Sequence, residues 1–482
     1  MTSASRVTAL ALAALLTPSA AGPGARAADL NPVKQAAVAA VDNHRDELIA
    51  LSNQIWAYAE TALQEKRSSR ALADYATAQG FVVQSGVADL PTAFVASYGT
   101  GHPIIGILGE YDALPGISQK AQPVQEPLVA GGAGHGCGHN LFGAGSIGAA
   151  VAIKELIASG RLRGTIRFYG TPAEEAVGGK IYMARAGLFS DLDAMLAWHP
   201  SDKPQADVTG SQALVDFIVE FKGRAAHAAA DPWNGRSAVD GLELFTHGLN
   251  MLREHVKPTV RMHYVIQEAG IVPNVVPDRA KLWCWVRDKD RPGVEAVLQR
   301  LRDIAAGSAL MAGVEAQVTI QGGDWELLVN RPGARLLQDN MALLGELPFT
   351  PEEQEFAKAI QKATGVAEVG LVTRLRPIEE QVFEGGSTDV GDISWLVPTL
   401  HLSVTTAPYE APWHAWPVVA CGGMSIGHKG LVYAAKTLAA TMTDLFTRPD
   451  VLAGIQAEFR SQSQGVTWKP YIPDGPPPIP AP

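Results

Sequence analysis

Three apolar stretches that each end in polar side chains constrain the fold of this chain more than any other feature. Residues 104–108, 164–170 and 192–198 have the length and composition of buried β-strands, and the first is apolar on both faces. A helix rich in small residues is predicted over 143–159. This alternation predicts an α/β domain with a mostly parallel sheet and helices on both faces. Such sheets bind ligands beyond the carboxyl ends of their strands, so the polar residues there are candidate site residues.

A second pattern, of two helices and four half-exposed strands, occupies residues 209–321. It predicts a ferredoxin-like α+β domain inserted into the larger domain, whose two parts are then residues 28–208 and 322–447. An outer strand of the insert would leave an open edge that can pair with a second copy, so we expect a homodimer through this dimerisation domain. Residues 448–482 are predicted as a Pro-rich C-terminal tail, which from Tyr471 onward is expected to be extended and largely unpacked.

The first 27 residues have the features of a cleavable secretory signal peptide. Arg6 supplies a positive charge, residues 7–16 are apolar but too few to span a bilayer, and residues 25–27 fit a cleavage site. We therefore expect a periplasmic or secreted protein that is not held in a membrane. A net charge of −10 argues against nucleic acid as a partner.

Cys137 and His139 form the centre of the candidate chemistry. The chain has three cysteines, too few for a disulfide framework, and only Cys137 has potential metal ligands as neighbours. In a glycine-flanked extended turn, residues 137 and 139 can point to the same side, and a thiolate can bridge two ions. The alternative is a glycine-rich turn with a satisfied histidine. His135 and the polar residues of later loop ends favour a metal.

Two adjacent glutamates, Glu174 and Glu175, follow the second strand. Because successive side chains diverge, one is expected to bind metal and the other to act as general base on a water. The alternative is an exposed pair at a helix start, which Pro172 also supports. His199 ends the third apolar stretch and is either a further ligand or a core histidine.

Other histidines are less informative from the pattern alone. His227 lies within the insert, where a surface position is an equal interpretation. His414 and His428 precede or begin the final helix, predicted over 431–447, and compete for the last ligand position.

Four motifs together resemble the two-metal aminoacylase and carboxypeptidase family, which includes hippurate hydrolase, plant auxin-conjugate hydrolases and glutamate carboxypeptidases. The motifs are Gly-Glu-Tyr-Asp-Ala-Leu-Pro-Gly (109–116), Gly-His-Gly-Cys-Gly-His-Asn (134–140), Pro-Ala-Glu-Glu (172–175) and Ser-Ile-Gly-His-Lys-Gly (425–430). The resemblance covers about residues 31–445. It is strongest for the aminobenzoyl-glutamate hydrolase B-subunit type.

The resemblance implies a catalytic centre with two divalent metal ions, Zn²⁺ or Mn²⁺. The implied ligands are Cys137, His139, Glu175, His199 and His414, with the family spacing favouring His414 over His428. Glu174 matches the general base, and Asp112 is expected to orient a metal ligand without binding a cation itself. Glu110 stands where distant relatives carry a metal-binding histidine and is left out of the ligand set. Asn140 replaces an aspartate that many relatives have.

The resemblance also implies three substrate-contacting residues in the insert: His227, Asn274 and Arg287. The residue that matches His227 polarises the scissile carbonyl across a dimer. Those that match Asn274 and Arg287 hold the substrate carboxylate, to which an arginine can donate two parallel hydrogen bonds.

These expectations combine into a metal-dependent amidohydrolase that cleaves the amide bond of N-acyl or N-aroyl amino acids such as p-aminobenzoyl-glutamate. Glu174 would take a proton from a metal-bound water, which attacks the carbonyl, and would return a proton to the leaving amine. One alternative is a dipeptidase or aminoacylase with the same centre. A non-catalytic metal or amino-acid binding protein is another, against which the intact Glu174 argues.

Overall fold

The computed structural model describes residues 31–383 and 385–480, so the predicted signal peptide lies outside the described residues. The helices are α1 Pro32–Asn43, α2 Arg45–Tyr58, α3 Lys66–Ala78, α4 His139–Ala158, α5 Gly179–Arg185, α6 Ala238–Leu252, α7 Arg291–Ala312, α8 Arg331–Leu344, α9 Pro351–Thr364, α10 Val390–Ser394, α11 Trp416–Gly422, α12 Ser425–Thr447 and α13 Pro449–Gln462. The strands are β1 Val82–Ser85, β2 Phe94–Thr100, β3 Ile104–Glu110, β4 Gly164–Thr171, β5 Ala194–Ser201, β6 Gln205–Ala206, β7 Ala213–Lys222, β8 Arg261–Ala269, β9 Arg279–Asp288, β10 Glu315–Gly322 and β11 Thr399–Thr405.

The larger domain is built on a seven-stranded sheet with the order β1-β2-β4-β3-β5-β11-β6. The four central strands are parallel to one another, whereas β1, β2 and β6 pair antiparallel at the two edges. Every residue of β3 is buried, which requires cover on both faces of the sheet. The predicted α/β fold with a mostly parallel sheet is therefore confirmed, with antiparallel strands added at its edges.

Helix α4 packs directly on the sheet because its residues are small. A Cβ on Gly143 would come within 2.7 Å of the Glu110 carbonyl oxygen, so only glycine allows this approach. Among the described residues, α4 alone is long and apolar enough to cross a membrane, but 78% of its apolar window is buried inside the protein. Its composition is that of a core helix, and it places His139 at the carboxyl end of β3.

The inserted domain is a four-stranded antiparallel sheet with the order β10-β7-β9-β8 and the helices α6 and α7. The chain order strand, helix, strand, strand, helix, strand is that of a ferredoxin-like fold, as the sequence predicts. The insert has its own apolar core, separate from that of the larger domain. Strand β8 forms one outer edge, and most of its residues are exposed.

The segment assigned from the sequence to a Pro-rich tail, residues 448–482, begins with a packed helix. Residues 449–462 form α13, which begins at a proline in its first turn and buries Leu452 and Ile455 against the larger domain. Beyond it, the Trp468 indole donates to the Asp392 carboxylate at 2.8 Å, and Tyr471 packs against the insert. The proline-rich composition of the end of the chain gives no indication of these contacts.

Candidate metal centre

A cleft of about 700 Å³ lies between the two domains, beyond the carboxyl ends of the parallel strands. The larger domain contributes the predicted site residues Cys137, Glu174, Glu175, His199 and His414, and the insert contributes Asp216, Trp285 and Arg287. The glycine loop 385–388 and Asp324 complete the lining. Residues from distant parts of the chain therefore meet where the sheet topology predicts a ligand site.

The turn that carries Cys137 and His139 depends on a glycine between them. Gly138 has a φ of +78° and caps α4 at its N-terminus. A Cβ there would lie 2.8 Å from Pro200, so a larger residue would push this turn away from β5. The turn places the Cys137 Sγ 3.3 Å from the Nε2 atom of His199.

The Asp112 carboxylate contacts the His139 ring, which supports the orienting role proposed for it. The distance from His139 Nδ1 to Asp112 Oδ1 is 2.8 Å, and the other oxygen of Asp112 accepts a hydrogen bond from the Glu175 backbone N–H at 2.9 Å. His139 and Asp112 are both buried. With Nδ1 occupied, Nε2 is the nitrogen left to face the neighbouring side chains of the centre.

The segment that carries Glu174 and Glu175 is a turn and not the start of a helix, because α5 begins only at Gly179. Ala173, just before the pair, has a left-handed φ of +60°, which is strained for a residue with a Cβ. Its backbone N–H donates to the buried Glu65 carboxylate at 2.9 Å. Burial and the nearby Asp112 raise the pKa of Glu65 to about 8. Glu65 is a supporting residue that no sequence motif indicated.

The structure distinguishes His414 from His428. His414 Nε2 lies 3.4 Å from Glu175 Oε2, and the His414 backbone N–H donates to Gly136, next to the Cys137 turn. His428 instead contacts Asn53 at 2.8 Å, is half-buried and belongs to none of the candidate ligand groups among the described residues. His135 contacts the Ile55 carbonyl at 3.0 Å. Of these three histidines, only His414 belongs to the centre.

The five predicted ligands form two groups that share Cys137. Cys137, His139 and His199 make one group and Cys137, Glu175 and His414 the other, with the ligand atoms of each within 4.8 Å of one another. One thiol between two ligand groups is the arrangement by which a thiolate bridges two ions. Glu175 Oε1 is buried without a hydrogen-bond partner among the described residues, as expected of an oxygen reserved for a cation. These residues fit a pair of divalent cations.

Without bound cations, the side chains of this centre are not in the protonation states that metal ligation needs. Burial raises the pKa of Glu175 to about 7 and lowers the pKa of His199 to about 4. Burial, followed by the carboxylates of Glu110 and Glu175, raises the pKa of Glu174 well above its ordinary value. Positive charge from cations would favour the ionised carboxylates and neutral imidazoles that ligation needs. Glu174 belongs to neither group around Cys137, although its Oε2 lies 3.9 Å from His139 Nε2.

The three predicted substrate residues of the insert do not lie together. Arg287 lines the cleft, with its guanidinium 5.3 Å from the Trp285 ring centre, and burial lowers its pKa. His227 and Asn274 are exposed and do not line the cleft of the same chain, although they are neighbours: the Ala228 N–H donates to the Asn274 carbonyl at 3.0 Å. Within one chain, Arg287 therefore lines the cleft, whereas His227 and Asn274 do not.

Comparison with known proteins identifies the family. The model of Peptidase family M20/M25/M40 matches residues 106–418. The chain belongs to this family. Its M20 relatives include the B subunit of p-aminobenzoyl-glutamate hydrolase from Escherichia coli (strain K12), which is 37% identical over 90% of this chain and 95% of the relative. Xaa-Arg dipeptidase of Homo sapiens is 30% identical over 90% of this chain and 94% of its own length.

A solved structure agrees with this assignment at the level of the fold. A dinuclear metal-binding peptidase of the M20 family from Bacillus subtilis aligns with a TM-score of 0.58 at 18% identity, over 84% of this chain and 99% of the other. The predicted family resemblance is therefore confirmed, and the M20 chain described here is a hydrolase that acts on amide bonds. The roles of the individual site residues stay predictions, which the geometry above supports.

Proposed function

We propose that this M20 hydrolase cleaves the amide bond between an acyl or aroyl group and an amino acid, with p-aminobenzoyl-glutamate as the leading candidate substrate. One observation carries the proposal. The Cys137 thiol belongs to both ligand groups, whereas Glu174 lies beside these groups and belongs to neither. A relative that shares 37% identity over nine tenths of the chain is named for hydrolysis of p-aminobenzoyl-glutamate.

Two divalent cations, when bound, supply Lewis-acid chemistry that lowers the pKa of a water and polarises a carbonyl. Glu174 is proposed as the general base, because its carboxylate is buried beside the ligands and is free to accept a proton and return it to the leaving amine. Arg287 is proposed to hold the substrate carboxylate, since its guanidinium lines the same cleft.

We propose a homodimer in which His227 completes the centre of the partner. The Ala229 and Ala230 backbone N–H groups donate to His227 Nδ1 at 3.2 and 3.1 Å. The neutral ring therefore carries its proton on Nε2, which is the form that can donate to a carbonyl oxygen. The outer edge strand β8 of the same domain carries exposed Val265 and Ile266. An unpaired apolar edge of this kind suits pairing with a second copy.

We propose zinc as the first choice of metal, because a bridging thiolate and three imidazoles are soft or borderline ligands. Manganese remains the competitor, since Glu175 supplies a hard oxygen. The periplasmic or secreted location is proposed on the N-terminal signal pattern alone.

A second candidate substrate is a dipeptide with a basic residue. Asp216 and Asp324 line the same cleft as Arg287 and offer negative charge to a cationic side chain. The human relative named as an Xaa-Arg dipeptidase is 30% identical over 90% of this chain.

The test is hydrolysis by the mature protein after metal removal and reloading with Zn²⁺ or Mn²⁺. The panel contains p-aminobenzoyl-glutamate, other N-acyl amino acids and Xaa-Arg dipeptides. The proposal expects the highest kcat/KM for an N-aroyl amino acid and loss of turnover after chelation. A preference for basic dipeptides would favour the second candidate, and full activity without metal would reject both.

A further inference from the structure

A lysine that no motif indicated lies buried beside the metal centre. Lys180, in α5, is fully buried, and its Nζ lies 2.6 Å from both Glu110 Oε1 and Asp389 Oδ1. A buried ammonium between two buried carboxylates is costly to desolvate, so it persists only where both partners fix it. The three charged groups come from α5, the end of β3 and the residue that precedes α10.

Glu110 has the chemistry and the position of a metal ligand. Its Oε2 lies 3.0 Å from His139 Nε2, the nitrogen available for a cation. Glu110, His139 and Glu174 form a third group whose ligand atoms lie within 4.8 Å of one another. A cation held by this group would be bound by both His139 and Glu174. Glu174, the proposed general base, would then not be free to accept a proton.

Lys180 faces the opposite side of the Glu110 carboxylate. We propose that Lys180 is a positioning residue that holds Glu110 away from the metal ions, so that five side chains bind the two cations and Glu174 stays free. The inference rests on the two-cation function proposed above. It extends that function, because it explains why an acidic residue so close to His139 is not part of the ligand set.

The position of Lys180 is itself tightly defined by its surroundings. Its backbone N–H donates to Asp389 Oδ2 at 3.0 Å, so Asp389 holds both ends of the residue. A Cβ on the preceding Gly179 would lie 2.0 Å from the Pro172 carbonyl oxygen, so α5 packs directly against the turn that carries Glu174. Asp389 also follows the loop 385–388, which lines the cleft. Lys180 therefore contacts Glu110 beside the candidate ligands and Asp389 beside the loop that lines the cleft.

The test compares Lys180→Met with Lys34→Met. Lys34 is a second buried lysine, 2.6 Å from the buried Asp444, and its change controls for loss of any buried ion pair. Zn²⁺ stoichiometry and affinity are measured by calorimetry and native mass spectrometry, with folding checked by circular dichroism. We expect Lys180→Met to bind zinc more tightly than the wild type, or to take up a third ion, while kcat falls by about 10–100-fold. Lys34→Met should keep the wild-type stoichiometry and affinity.

Two further variants remove the dependence on one substitution. Lys180→Arg keeps the charge and should keep two ions. Glu110→Gln combined with Lys180→Met removes the competing carboxylate and should return the zinc affinity to that of the wild type. If Lys180→Met loses zinc affinity in step with Lys34→Met, or if Glu110→Gln alone loses an ion, the proposal is overturned. Since these readouts need no substrate, they are separate from a failure of the proposed substrate, which only the hydrolysis panel detects.

Discussion

At the scale of single residues, the centre depends most on Cys137, because its thiol belongs to both ligand groups. The sequence indicated Cys137, His139 and His199 as candidate ligands from their residue types and positions. The choice of Glu175 over Glu174 and of His414 over His428 came from the family resemblance. The sequence did not predict Glu65 or Lys180. Both are single charged residues without a motif, and only the fold brings them to the centre.

The first prediction separates the two adjacent glutamates. Glu174→Gln should keep both cations, because Glu174 is in neither group around Cys137, and should lose turnover by about 10²–10⁴-fold through the missing proton acceptor. Glu175→Gln is the matched control and should lose metal affinity. Metal content and kcat measured on the same preparations check both. Near-normal turnover by Glu174→Gln would remove this residue from the mechanism.

The second prediction concerns pH and Asp216. Burial raises the pKa of Asp216 from 3.8 to about 6, because the charged form is poorly solvated in the cleft. A raised pKa means that its contribution to stability is present below 3.8 and is lost as the pH rises through about 6. Asp216→Asn keeps an acceptor oxygen for the Trp283 indole and removes the charge.

Relative to the wild type, Asp216→Asn should therefore gain free energy of unfolding as the pH rises from about 5 to about 7. Denaturant titrations of both metal-free proteins at the two pH values measure this difference. An unchanged or reversed difference would show that Asp216 titrates normally.

At the scale of elements, the strands β3, β4 and β5 and those of the insert were predictable because their apolar periodicity reflects burial on one or both faces, whereas β1, β6 and β11 were not predicted. The ferredoxin-like order of strands and helices followed directly. The small helix α5 and the turn before it were not predictable, because a glycine-rich stretch gives no periodic signal. A helix start was therefore one interpretation of the pair Glu174-Glu175, and the structure places the pair in a turn.

The third prediction tests whether the insert of one chain serves the centre of another. Glu174→Gln and His227→Ala should each be inactive as homodimers, for different reasons. If His227 acts on the partner, unfolding and refolding the two variants together creates mixed dimers with one intact centre. Random pairing should then restore about a quarter of the wild-type turnover. Each variant refolded alone is the control, and no recovery in proven mixed dimers would mean that His227 acts within its own chain or not at all.

At the scale of the whole molecule, the C-terminal segment joins the two domains. Trp468 donates to the fully buried Asp392, the Trp325 indole donates to the Lys469 carbonyl at 3.0 Å, and the Tyr471 ring stacks on Arg291 of the insert. Composition could not predict this, because each contact is made by one residue within an otherwise proline-rich and polar stretch.

The fourth prediction is that Trp468→Ala lowers the free energy of unfolding by about 1–3 kcal/mol, because it leaves a buried carboxylate oxygen of Asp392 without its donor. Val466→Ala, at an exposed position of the same segment, should change stability by less than about 0.5 kcal/mol. Equilibrium denaturation of both variants measures the difference. Equal effects would mean that the segment does not stabilise the domains.

The position of β11 in the sheet has a consequence for biosynthesis. This strand pairs with β5, yet the whole insert and three further helices are translated between the two. A nascent chain therefore carries an unpaired apolar sheet edge until the ribosome has passed Thr405, whereas the contiguous insert has a core of its own and can close earlier. His414 is added later still. The emerging polypeptide therefore cannot present all the proposed cation ligands in their final arrangement until nearly all of it has been made, so metal loading is expected at the end of synthesis or after it.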